Sequence, residues 1–99
     1  MNWFTDNVIQ KMENRLKLYK VEVPNTPEGY QMTHRDLIAF IVACFSEEEA
    51  RNFNPLQNKY PYEWVQPDQR QYLTVRKIGY AESDIEHGEI LMIDEISDF

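Results

Sequence analysis

The chain is poor in the residues that cross-link or sharply bend a small protein. Its 99 residues include one cysteine, Cys44, and three glycines. A single cysteine excludes an intrachain disulfide and a cysteine cage for zinc. A small chain without disulfides is more typical of the cytosol than of secretion, so we predict a cytoplasmic protein.

Long apolar runs are also missing. The longest run, from Leu37 to Phe45, has nine residues, whereas a membrane-spanning helix needs about twenty. The first residues, Met1 to Asp6, lack the basic stretch followed by an apolar stretch that marks a signal peptide. We therefore expect no interaction with a membrane.

Positive charge is absent from the last part of the sequence, since no Lys or Arg follows Lys77. Seven carboxylates lie in that part: Glu82, Asp84, Glu86, Glu89, Asp94, Glu95 and Asp98. The net charge of the whole chain is −7, so the residues up to Lys77 balance. A region of one sign attracts basic surfaces and repels nucleic acid. We predict a protein partner with a basic surface and no direct contact with nucleic acid.

The composition is otherwise that of a folded domain. Hydrophobic residues make up 42% of the chain and aromatic residues 13%, which argues against disorder despite the acidity. The length suits one domain over residues 1–99.

Three segments are typical of helices. Phe4, Val8, Met12, Leu16 and Tyr19 recur at helical spacing and predict an amphipathic first helix. The stretch from Leu37 to Phe45 is apolar all round, which predicts a buried central helix capped by Thr33 and Asp36. Ser46 and Glu49 have the spacing of a capping box and predict a third, short helix.

Alternating residues indicate strands at Tyr19–Val23, 71–80 and 89–96, and a further short strand is predicted from Tyr30 to Met32 after a turn at residues 24–29. The centre of 89–96 is apolar on both faces, so we expect it to be covered on both sides. Residues 81–88 would form a hairpin loop, with Gly88 supplying a positive φ. The predicted fold is α+β, with two or three helices packed on a small, mainly antiparallel sheet that ends in a C-terminal hairpin.

An aromatic cluster, Tyr60, Tyr62 and Trp64, lies in the proline-marked connection of residues 54–70. Such residues serve as anchors in protein interfaces, or they cover one end of a core with their polar tips in water. The flanking prolines favour the second interpretation. Both remain open, and the cluster belongs to the predicted partner-binding residues.

Catalytic and metal-binding patterns are weak. The segment beginning at His34 resembles the start of a kinase catalytic loop, but Ile41 stands where that loop needs a metal-binding Asn. A calcium loop starting at Asp84 has Glu89 where a glycine is required. Cys44 lies in an apolar segment, where a thiol is inert. We predict a protein that is not an enzyme and uses no metal or cofactor.

These observations lead to a functional hypothesis. Carboxylates on one face of a strand repeat about every 6.6 to 7 Å, which is close to the spacing of phosphates along a nucleic-acid strand. We predict an acidic binding protein whose hairpin mimics nucleic acid and inhibits a nuclease or related enzyme. An immunity protein that neutralises a toxin and a phage-type anti-defence protein both fit.

Two alternatives remain. The chain could be a non-catalytic subunit or adaptor that oligomerises, as a homodimer for example, through the apolar edge of the strand at residues 89–96. A small hydrolase or metal-dependent enzyme that uses His87 and its acidic neighbours is the weaker alternative.

Overall fold

The computed structural model describes residues 15–33, 36–57, 59–61 and 63–95. These residues form a small α+β fold with a four-stranded antiparallel sheet and a few short helices. In chain order the elements are β1 (Lys17–Glu22), α1 (Pro27–Tyr30), β2 (Leu37–Cys44), α2 (Glu47–Arg51), a 3₁₀ helix (Pro67–Tyr72), β3 (Thr74–Tyr80) and β4 (Ile90–Glu95).

The predicted first helix and the predicted first strand overlap at Tyr19. In the structure this residue belongs to a strand. Lys17–Glu22 is β1, with Tyr19 and Val21 buried on one face. The alternation of apolar and charged residues therefore outweighs the helical spacing in this stretch. Phe4, Val8 and Met12, which carry the rest of the predicted helical stripe, lie outside the described residues.

The prediction of a central helix from Leu37 to Phe45 is wrong, because Leu37–Cys44 is strand β2. β2 lies between β1 and β4 in the sheet. A central strand can be apolar on both faces, so its sequence has no alternation to distinguish it from a buried helix. Ile41 and Val42 are β-branched and favour the strand.

The two strands of the predicted C-terminal hairpin are present, but they do not pair with one another. The strand order is β3-β1-β2-β4, so β3 and β4 lie on opposite edges of the sheet. β1 and β2 supply the most buried residues of the sheet and take its centre, which leaves the edges to β3 and β4. Residues 81–88 therefore cross one end of the sheet instead of making a tight turn.

One face of the sheet carries the core. Side chains from β1 and β2 pack there against α2 and the long connection that precedes β3. The largest fully buried side chains are Trp64, Phe40, Val21, Val42 and Val65. The rings of Trp64 and Phe40 meet edge to face, with centroids 5.1 Å apart, an arrangement that aromatic pairs prefer.

The connections between β1 and β2 differ from the prediction. α1 occupies part of the predicted turn, capped by Thr26, whose hydroxyl accepts a hydrogen bond from the N–H of Gly29. Tyr30 to Met32 is not a strand, and Thr33 forms a single β-bridge with Val65 instead of capping a helix.

Helix α2 confirms the prediction of a short helix after Ser46. The Ser46 hydroxyl accepts a hydrogen bond from the N–H of Glu49 at 3.1 Å. Three glutamates occupy the first turn, where the positive end of the helix dipole favours them.

Candidate functional site

The loop at residues 81–88 is tied to the sheet at both ends. The Ala81 N–H donates to the carbonyl of Leu16 at 3.0 Å, and the Gly88 N–H donates to the carbonyl of Ala43 at 2.8 Å. Gly88 has a φ of +82°, so the glycine supplies the predicted positive φ. These contacts fix where the loop carboxylates lie.

The seven predicted carboxylates do not form one array. Glu82, Asp84, Glu86 and Glu89 are exposed at the end of the sheet that the loop crosses. Asp94 and Glu95 are exposed at the other end of β4, opposite Ala39 and Leu37. Four residues of β4 lie between Glu89 and Asp94, which separates the two groups by about 16 Å along the strand. Asp98 lies outside the described residues.

The start of α2 adds exposed glutamates near the loop, because β2 ends at the same end of the sheet. We call this region the acidic end, and it comprises Glu47, Glu48, Glu82, Asp84, Glu86 and Glu89. Among the described residues, the ion pairs formed by Lys and Arg do not include Glu82, Asp84, Glu86 or Glu89. Arg15 and Lys17 lie at the β1 side of this end, and Arg51 pairs with Glu47.

His87 joins the loop to α2. Its Nε2 lies 2.5 Å from Oε1 of Glu49, and its ring lies 4.9 Å from the ring of Phe45. The same carboxylate oxygen accepts a hydrogen bond from the N–H of Phe45 at 3.3 Å. Partial burial opposes ionisation of Glu49, but the hydrogen bonds from His87, Phe45 and the Cys44 thiol outweigh it, so the pKa of Glu49 is lowered.

Cys44, Glu49 and His87 bring a thiol, a carboxylate and an imidazole close together, but not in an order that activates the thiol. Cys44 is fully buried, and burial together with the Glu49 carboxylate raises the pKa of its thiol to about 12. Glu49 contacts both other groups, whereas a nucleophilic cysteine needs a neighbouring base or positive charge that favours its thiolate. This cluster therefore fixes the loop rather than creating a nucleophile.

The aromatic cluster divides between core and groove. Trp64 is 2% exposed, and its Nε1–H donates to the Leu37 carbonyl at 2.7 Å. For Trp64, this burial favours the core interpretation over that of an anchor for a partner, because the side chain is almost fully enclosed. Tyr60 is partly buried, packs against the core and lines a surface groove. Tyr62 lies outside the described residues.

Strand β4 has more apolar surface than the sequence predicts. Leu91, Met92 and Ile93 are 39%, 40% and 49% exposed, so the expected cover on both sides is wrong for the part of the chain that the structure describes. β4 is an edge strand with a neighbour on one side only. Its apolar residues are therefore not accounted for by a central position in the sheet. Four consecutive apolar residues predict a buried strand, and this pattern does not distinguish an edge strand from a central one.

Two adjoining grooves run between β4 and residues 55–57 and 59–60. One, of about 440 Å³, lies beside Ile93 and Glu95 and reaches Tyr60. The other, of about 530 Å³, follows β4 from Glu89 to Ile93. Pro55, Lys59 and Ile93 line both grooves.

The described residues contain no group of three or more His, Cys, Asp or Glu side chains placed to hold a metal ion. In the same ranges, no helix has the length and apolar character needed to cross a membrane.

Comparison with family models, with curated proteins and with solved structures found no significant match to this chain.

Proposed function

We propose that this protein is an acidic binding protein that inhibits an enzyme acting on nucleic acid, by occupying the basic cleft of that enzyme. The observation that carries the proposal is the position of the acidic end. A loop held at both ends presents Glu82, Asp84 and Glu86 beside the first turn of α2.

The surface suits a target that normally binds phosphates. Fixed carboxylates mimic the negative charge of a nucleic-acid strand and steer a basic cleft toward the loop, which raises association rates by about 10 to 10³-fold. Since Asp94 and Glu95 lie at the other end of β4, the loop and α2 replace the predicted hairpin as the docking element. A toxin nuclease and a host defence nuclease are both targets of this kind.

The test measures inhibition of purified nucleases, restriction enzymes and an RNA polymerase at low and high salt. We expect the protein to inhibit at least one of them, with weaker inhibition at high salt. The triple variant Glu82→Gln, Asp84→Asn, Glu86→Gln should slow association by about tenfold or more.

The matched control removes three exposed carboxylates elsewhere, as Glu28→Gln, Asp36→Asn, Asp68→Asn. Because both triple variants lose the same formal charge, equal effects would assign the inhibition to net charge and contradict a role for the loop. The absence of inhibition across the panel would also contradict the proposal.

The exposed apolar residues of β4 favour a second candidate function, a non-catalytic subunit or adaptor that assembles through this strand edge. Sedimentation of the protein at varied concentration and salt separates the two candidates. An apolar assembly persists at high salt, whereas a charge-driven complex weakens.

A further inference from the structure

The hydrogen bonds of β2 establish which backbone groups of β4 face away from the described strands. Ile38 directs its carbonyl toward β1, where it accepts from the N–H of Val23 at 3.0 Å. Ala43 exchanges hydrogen bonds with Gly88 and Glu89 on the other side. Since the β1–β2 register has no interruption, even-numbered residues of β2 bond to β1 and odd-numbered residues face β4.

It follows that Ile93 directs its backbone away from the sheet. Met92 and Asp94 lie opposite Ile41 and Ala39, whose backbone groups face β4. Ile93, between them, therefore presents its N–H and C=O at the outer edge. Among the described strands, no neighbour lies beyond β4.

The grooves beside the β4 edge can receive side chains of an added strand. Ile93 is 49% exposed and lines both grooves, as does Pro55. Added strands obtain affinity from main-chain hydrogen bonds and specificity from pockets that take alternate side chains. An unpaired edge next to an apolar groove provides both.

The charges at this edge select the kind of strand. Glu89 lies at one end of β4, and Asp94 and Glu95 lie at the other, close to the exposed Asp36. Lys59 is the single basic side chain lining the two grooves within the described residues. An incoming strand with basic residues flanking its apolar ones would therefore pair favourably with the edge.

A second copy of this chain is a poor occupant for the same reason. Antiparallel pairing of two β4 strands centred on Met92 places Glu89 opposite Glu95. Pairing centred between Leu91 and Met92 places Glu89 opposite Asp94. Pairing centred on Ile93 places Asp94 opposite Met92 and Glu95 opposite Leu91, so each carboxylate faces an apolar side chain. Like charges directly opposite one another are destabilising, and each copy carries a net charge of −7.

We infer that the β4 edge binds an extended segment of a partner protein, which adds to the sheet as a fifth strand. Alternate apolar side chains of that segment enter the grooves, and Lys or Arg residues pair with the carboxylates at the ends of β4. This inference rests on the second candidate function, in which β4 is an assembly surface, and names the partner segment.

The probe is a random twelve-residue peptide library displayed on phage. Selection against the full chain should enrich alternating apolar residues with Lys or Arg around them. The enriched peptide, once synthesised, should bind with an added strand signal in isotope-edited infrared spectra. Methylation of alternate backbone nitrogens of the peptide should abolish binding, because it removes the main-chain donors.

Two isoleucine variants provide a matched pair. Ile93→Lys places a charge on the β4 edge, and Ile78→Lys makes the same change on β3, where Ile78 is 45% exposed. We expect Ile93→Lys to weaken binding by about tenfold or more and Ile78→Lys to leave it unchanged. Asp94→Asn with Glu95→Gln should reduce both the affinity and its salt dependence.

The possible outcomes distinguish failure of this inference from failure of the adaptor function on which it rests. If no enriched peptide distinguishes the unmodified chain from Ile93→Lys, or if the enriched peptides are acidic, the inference is overturned. If the unmodified chain instead dimerises and Ile93→Lys prevents it, a second copy is the occupant, and the adaptor function survives without the peptide. If the chain neither binds an enriched peptide nor dimerises, both the inference and the adaptor function are overturned.

Discussion

At the scale of single residues, Trp64 links the long connection to the sheet. Its indole fills the core beside Phe40, and its N–H satisfies the Leu37 carbonyl at the start of β2. A buried carbonyl without a partner costs free energy even when packing is preserved. Trp64 therefore has a polar role as well as an apolar one.

We predict that Trp64→Phe lowers the free energy of unfolding by about 1–3 kcal/mol, because the Leu37 carbonyl loses its donor. Trp64→Ala should cost about 3–5 kcal/mol, since a cavity is added. Urea denaturation followed by far-ultraviolet circular dichroism measures both. Tyr72→Phe is the control, because Tyr72 is 60% exposed; a similar loss for all three variants would contradict the assigned role.

Glu49 connects α2 to the loop, and its lowered pKa gives a pH dependence of known sign. A carboxyl whose pKa is lower in the folded state than its usual 4.5 stabilises the fold fully above pH 4.5. That stabilisation is lost as the pH falls through the lowered folded value. The effect is small, about 1 kcal/mol or less, because the side chains of Glu49 and His87 are partly exposed.

We predict that Glu49→Gln is less stable than the unmodified chain at pH 6 and that the difference shrinks below pH 4.5. Thermal unfolding at a series of pH values measures it. Glu48→Gln, a change at the neighbouring exposed carboxylate, should show no such convergence. A constant difference down to pH 3 would exclude ionisation of Glu49 as the cause.

Contacts between residues close in the chain could be predicted from the sequence, and contacts between residues far apart in the chain could not. Ser46 and Glu49 are close in the chain, and their spacing predicted the cap of α2 correctly. The contact between Glu49 and His87 depends on the loop crossing the end of the sheet. No spacing rule encodes it, because it arises from the strand order.

At the scale of elements, Arg51 joins α2 to the 3₁₀ helix. Its guanidinium donates to the carbonyl of Leu73 at 2.6 Å and to that of Arg70 at 3.1 Å. Arg70 in turn pairs with Glu63 at 2.7 Å. This network sets where the chain enters β3, so Arg70 contributes to the fold.

We predict that Arg51→Met lowers the free energy of unfolding by about 1–3 kcal/mol, because two carbonyls lose a charged donor. Arg51→Lys should recover part of the loss, since an ammonium cannot reach both carbonyls in the same fork geometry. Urea denaturation compares them with Arg76→Met, a change on the exposed face of β3. Equal losses in Arg51→Met and Arg76→Met would argue against the network.

The elements themselves were partly predictable. β1, β3 and β4 follow from residues that alternate or are rich in β-branched side chains, and α2 follows from its cap. The sequence predicts a helix where β2 forms, because Leu37–Cys44 is apolar on both faces and has no polar face to reveal the alternation of a strand. Partners on both sides, which only the tertiary structure supplies, decide between the two structures.

At the scale of the whole molecule, charge and apolar surface act against one another. A net charge of −7 opposes contact between copies at neutral pH, while the exposed residues of β4 favour it. The sequence predicted the sign of the charge. It could not place the carboxylates, since Asp94 and Glu95 are separated from the loop by the length of β4.

We predict that self-association increases as the pH approaches the isoelectric point of about 4.7, because charge repulsion is lost while the apolar edge remains. Dynamic light scattering between pH 7.5 and 4.5 measures it. Ile93→Lys should reduce the association more than Ile78→Lys does. Equal reductions would show that net charge alone controls it.

The placement of β1 in the centre of the sheet has a kinetic consequence. β1 must pair with β3, which follows it only after β2, α2 and the long connection. Contacts so distant along the chain require closure of a large loop before any of them can stabilise the fold. High contact order of this kind slows folding into the millisecond-to-second range. β4 pairs with β2 across a comparable length of chain, so refolding should be limited by closure of both edge pairings rather than by the neighbouring pairing of β1 with β2.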